Sequence, residues 1–76
     1  MTRLPQVPGD QVVKALQKLG FLAHTGRGSH MTVRHTTDLT RRSTVPCHRG
    51  KPLGKGLLHS ILRDVQVTPD ELREYL

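Results

Sequence analysis

The run from Phe21 to His35 constrains the fold of this chain more than any other. Phe21 to Thr25 puts Phe21 and Ala23 on one face, and Gly26-Arg27-Gly28 is a glycine pair that marks a hairpin turn. His30 to His35 then alternates as a return strand. Because successive side chains of a strand point to opposite faces, Met31 and Val33 face a core and send His30, Thr32 and Arg34 to the other side, with His35 on the side of Val33. Thr36 to Arg41 is polar, contains Asp38, and reads as the next turn. Arg42 to Pro46 is a third strand, weakened by Ser43 where an apolar residue is expected beside Val45, and Pro46 ends it.

Helical spacing flanks these strands. Val12, Leu16 and Leu19 predict a helix from Gly9 to Leu19, with Asp10 in its first turn and Gly20 ending it in a left-handed turn. Leu58, Ile61, Leu62 and Val65 predict a second helix from about Leu57 to Val65. Thr68-Pro69-Asp70-Glu71 combines a Thr cap, proline at the first position and a Glu three residues after the cap, so a short last helix follows to Leu76. The expected class is α+β in the order α-β-β-β-α with a short C-terminal helix. Helices on one face of a three-stranded antiparallel sheet leave the opposite face, with His30 and Arg34, open to a ligand. Seventy-six residues make one domain, 1–76, with a small core.

The charge distribution points to the class of ligand. Of 12 basic residues, Arg27, Arg34, Arg41, Arg42, Arg49, Lys51, Lys55 and Arg63 fall between His24 and Arg63, together with all 5 histidines and a single acid, Asp38. Such a field attracts a polyanion, and imidazoles that titrate near neutrality can move protons on a bound phosphodiester. Phe21 and Tyr75 are the whole aromatic inventory, and Phe21 is expected in the core. Recognition is therefore expected to rest on phosphate, sugar and shape rather than on stacked bases. One cysteine, Cys47, excludes an internal disulfide framework and suits a reducing compartment, the cytoplasm. No apolar run follows Met1-Thr2-Arg3-Leu4-Pro5, so neither a signal peptide nor a membrane span is expected.

His30 is the first candidate for chemistry. It sits where a glycine turn opens onto a strand, on the exposed face, with Arg27, Arg34 and Lys55 as candidate cations. RNA cleavage through the 2′-hydroxyl needs a base for that proton, an acid for the leaving 5′-oxygen and cations for the charge developing on phosphorus. The alternative is a solvated strand residue. His48, just past Pro46, either supplies the second proton transfer, holds a phosphate, or hydrogen-bonds backbone and fixes the sheet edge. His35 is expected to be structural, and His24 and His59 to be surface residues. The loop Arg49-Gly50-Lys51-Pro52-Leu53-Gly54-Lys55-Gly56 reads as a phosphate cradle ending at a helix N-terminus, or as a solvated charged loop. No histidine or cysteine pair has the spacing of a zinc clamp, so no metal is expected, and no cofactor. Cys47 is expected to be a partly buried thiol rather than a nucleophile.

Gly20-Phe21, Gly28-Ser29-His30, Val45-Pro46-Cys47-His48, Leu53-Gly54-Lys55-Gly56 and Ser60-Ile61-Leu62 follow one another as do the landmarks of HicA-type toxins, and the chain resembles that family from Gly9 to Leu76. The resemblance implies a fold similar to a double-stranded RNA-binding domain and a metal-independent endoribonuclease, an mRNA interferase, acting on mRNA. It also implies a HicB-type antitoxin as inhibitory partner, with DNA engaged only through that antitoxin. The family's catalytic histidine corresponds to His30. From charge and position in the chain, Arg27, Gly28, Ser29, Arg34, Arg49, Lys51 and Lys55 are expected toward RNA. Leu57 stands where the family commonly has Thr, and Pro8 where it commonly has a Ser or Thr cap. The competing class is a non-catalytic double-stranded RNA-binding module that uses the same basic face.

Overall fold

The computed structural model describes residues 6–48 and 50–76. Its elements are α1 (Gly9–Lys18), β1 (Phe21–Thr25), β2 (His30–His35), β3 (Arg42–Pro46), α2 (Lys55–Val65) and α3 (Pro69–Glu74). The strands form one antiparallel sheet in the order β1-β2-β3. Phe21 pairs with His35 and Thr25 with Met31 on one side of β2, and His30 pairs with Pro46 and Arg34 with Arg42 on the other. This is the expected α+β order, the arrangement of a double-stranded RNA-binding domain.

The core lies on the face that carries Val33 and Val45, both fully buried. Val12, Val13, Ala15 and Leu16 of α1 and Leu58, Ile61, Leu62 and Val65 of α2 fill it, and Leu72 of α3 closes it. Removal of each such Val, Leu or Ile side chain from water contributes roughly 1.5–3 kcal/mol, which makes this face the main source of stability. Met31 and Ala23 pack against the same cluster, so the alternation of β2 resolves as the sequence requires. Its other face holds His30 and Arg34, both exposed.

The boundaries refine the expectations. The second helix begins at Lys55, two residues before Leu57, because the backbone of Gly54 caps it without a side chain, and Leu58 N–H already donates to Gly54 O at 2.9 Å. The last helix ends at Glu74 rather than Leu76, and Tyr75 caps it. Gly20 takes φ of 98° and turns the chain from α1 into β1, a conformation with little penalty only for glycine. Ser43 sits in its core-leaning position by donating its hydroxyl to Asp64 Oδ2 of α2 at 2.9 Å. Pro8 caps α1 with no side-chain hydrogen bond, and its carbonyl accepts from Gln11 and Val12 N–H. An isolated bridge between Pro8 and Pro52, with Leu53 N–H donating to Val7 O at 2.9 Å, ties the basic loop to the segment before α1. Among the described residues no helix is long and apolar enough to cross a membrane.

Candidate active site

The site is built by register. Beyond the His30–Pro46 pair, Cys47 N–H donates to Ser29 O at 2.8 Å, so the β2–β3 ladder runs one step past the end of β3. The next residue, His48, then meets the start of β2. Its Nδ1 lies 3.1 Å from Ser29 Oγ, and its ring centre is 6.2 Å from that of His30, the two planes at 75°. The turn before β2 is set by Gly28, at φ of 60°, and by Gly26, whose N–H donates to His30 O at 2.8 Å. A side chain on Gly26 would press on that oxygen.

The hydrogen bonds fix which nitrogen faces outward. His30 Nδ1 lies 3.3 Å from Arg27 O. A carbonyl can only accept, so Nδ1 carries the hydrogen and Nε2 of the neutral ring keeps its lone pair. Among the described residues neither His30 Nε2 nor His48 Nε2 has a hydrogen-bond partner. Two imidazoles, each held by Nδ1 and open at Nε2, share the exposed end of the sheet.

Of the candidate cations, Arg27 and Lys51 are tied by backbone to this pair. Arg27 is exposed in the turn whose carbonyl holds His30. Lys51 is brought to His48 by its own backbone, its N–H donating to His48 O at 3.1 Å. Arg34 shares the open face of β2 with His30 but lies four residues along the strand, about 13 Å away. Lys55 opens α2, whose first turn carries no acid. Arg49 lies outside the described residues. Asp38, the one acid of the basic stretch, is committed to its own turn. Thr40 donates to its Oδ1 from the hydroxyl at 2.6 Å and from the backbone at 3.1 Å, and these bonds hold the carboxyl below its ordinary range.

The remaining histidines and the thiol are structural or peripheral. His35 Nδ1 accepts from Thr37 and Asp38 N–H at 3.2 and 3.1 Å, and its ring meets Phe21 edge-on at 5.2 Å. His24 and His59 are exposed. Cys47 is half-buried and points its thiol at Val45 O; burial, and then the charge of Asp10, push the thiol above its ordinary range, so the thiolate needed for attack is disfavoured. Among the described residues no three His, Cys, Asp or Glu side chains converge to hold a metal ion.

The sequence marks both histidines and offers His48 a second proton transfer, but it does not show that the two rings meet. The signal was present: pairing His30 with Pro46 places His48 two residues beyond, at the mouth of the same hairpin. The link from Ser29 to His48 was not legible, because it joins residues outside the regular strand pattern.

Two comparisons bear on identity. No match was found among the curated proteins. The family model described as HicA toxin of bacterial toxin-antitoxin systems matches residues 9–67. That span holds the whole sheet, α1, α2, the glycine turn and both site histidines, and the chain belongs to this family: it is a HicA toxin of a bacterial toxin-antitoxin system.

Proposed function

We propose that this toxin is a metal-independent endoribonuclease of the cytoplasm, formed by the single domain 1–76, that cleaves mRNA with His30 as general base. A HicB-type antitoxin neutralises it and provides its only link to DNA. The observation that carries this reading is the seating of His30: Nδ1 turned to the Arg27 carbonyl, Nε2 presented on an open, basic face. A base so held takes the 2′-hydroxyl proton, while Arg27, Lys51 and Lys55, with Arg49 from the loop, offset the charge that develops on phosphorus. Gly28 and Ser29 let the backbone approach the RNA, and Arg34 grips the strand farther along the sheet. An antitoxin that covers this face is acidic where it docks.

The test is cleavage of labelled single-stranded RNA in EDTA by the wild type and by His30→Ala. A loss of about two to four decades of rate in the variant is expected, and the wild-type products are expected to end in 2′,3′-cyclic phosphate or its 3′-phosphate. A folded wild type that binds RNA without cutting it is instead the non-catalytic double-stranded RNA-binding module.

A further inference from the structure

We infer that His48 is the general acid of the reaction, and that Ser29 is the positioning residue that holds it; this rests on the endoribonuclease reading above. Three observations carry it. The His48 ring stands 6.2 Å from that of His30, near enough to flank one bound group without the rings bonding to each other. Both rings are anchored through Nδ1, on Arg27 O and on Ser29 Oγ, and both present Nε2. The third is that each anchor takes an Nδ1–H, from a neutral ring as from an imidazolium. Ser29 therefore stays bonded to His48 before and after His48 gives up its Nε2 proton, and with His30 placed as the base the second ring held this way is left to be the acid.

The step balances. His30 Nε2 takes the proton of the 2′-hydroxyl, the 2′-oxygen forms a bond to phosphorus, and the bond from phosphorus to the 5′-oxygen breaks. His48, as imidazolium, delivers its Nε2 proton to that 5′-oxygen. The products are a 2′,3′-cyclic phosphate and a free 5′-hydroxyl, leaving His30 protonated and His48 neutral, and exchange with water restores both. Each transfer needs the ring nitrogen within about 2.6–3.2 Å of its oxygen, and the attacking oxygen starts about 3–3.5 Å from phosphorus. A phosphodiester lying across the two rings meets both demands.

The experiment removes the need for the acid. Wild type, His30→Ala, His48→Ala, His48→Asn, Ser29→Ala and Ser29→Thr are assayed on an RNA that the wild type cuts, and on the same RNA with sulfur in place of the bridging 5′-oxygen at the cut site. Sulfur departs as thiolate without a proton. On ordinary RNA, His48→Ala and His48→Asn are expected to be about 100- to 10,000-fold slower than wild type. On the sulfur substrate they recover most of that loss, and His30→Ala recovers none. Ser29→Ala shows a smaller loss with the same recovery, and Ser29→Thr, which keeps the hydroxyl, regains part of what Ser29→Ala loses on ordinary RNA. His48→Asn keeps an amide beside Ser29, so a loss there is not a loss of fold, and thermal unfolding of each variant checks this. Wild-type rates in both His48 variants, or equal losses on both substrates, overturn the assignment while leaving the endoribonuclease reading intact. A wild type that cuts no RNA overturns both.

Discussion

Gly9 and Pro46 meet backbone to backbone, where the first turn of α1 crosses the end of β3, and a Cβ on Gly9 would overlap the Pro46 carbonyl. Pro46 is the residue paired with His30, so the start of α1 braces the strand end that carries the site. Gly9→Ala is expected to lower stability by about 1–3 kcal/mol, the range for forcing atoms into a packed contact. The urea midpoint measures it, and an unchanged midpoint would show that α1 can move off β3.

Gly56 gives the opposite case. It is the second residue of α2, and a Cβ there meets nothing within 4 Å. Gly56→Ala is therefore expected to stabilise the fold by up to about 1 kcal/mol. If the loop leading into α2 cradles a phosphate, the added methyl also weakens RNA binding, so the variant gains in melting temperature and loses in affinity. Affinity equal to wild type would assign the loop to solvent.

Arg34 and Arg41 separate binding from structure. Arg34 is exposed on the open face, and Arg34→Ala is expected to reduce the slope of log affinity against log salt by about one, as one lost phosphate contact does. Arg41 is turned inward: Nε donates to Val65 O at 2.8 Å, Nη2 to Gln66 O at 3.3 Å, and the guanidinium lies 5.3 Å from the Phe21 ring centre. It closes the C-terminal end of α2 onto the sheet. Arg41→Ala is expected to cost roughly 1.5–3 kcal/mol of stability while leaving the salt slope unchanged in the folded protein.

Thr68 and Glu71 form a complete capping box at α3, with Glu71 N–H donating to Thr68 Oγ1 at 3.1 Å and Thr68 N–H to Glu71 Oε1 at 3.0 Å. The backbone N–H of Thr68, then its hydroxyl, hold the Glu71 carboxyl below its ordinary range. A carboxyl so lowered adds stability that is fully present above its unfolded value, about 4.3, and is lost as pH falls through the lower folded value. Thr68→Ala is expected to cost about 0.5–2 kcal/mol at neutral pH. Glu71→Gln is expected to lower the melting temperature at pH 7, with the difference from wild type shrinking below about pH 4. A constant difference across that window would remove the charge from the account.

What the sequence disclosed follows the range over which each signal acts. The alternation of Met31 and Val33, the glycine pair of the hairpin and the Thr68 box are local, and each element they imply is present at the expected place. Val13 and Ala15 lie in the core outside the stripe through Val12, Leu16 and Leu19, which is narrower than the face α1 buries under a sheet. Ser43 looked like a weakness of β3 and proves to be a tether, since its partner Asp64 lies 21 residues away on another element. Arg41 read as one cation among eight, and only the end of α2, 24 residues on, reveals its role. His30 and His48 were each visible as residues. Their pairing was not, since it depends on strand register, which no single segment encodes.

The ladder step from Ser29 to Cys47 also decides when His30 and His48 come together. Ser29 and His48 are 19 residues apart, and nothing holds them together until β3 has docked against β2. A nascent chain that has emerged only through β2 carries His30 without its neighbour, and a slip of one residue between the strands turns their core side chains into water. The site is thus assembled late, by the same pairing that completes the sheet.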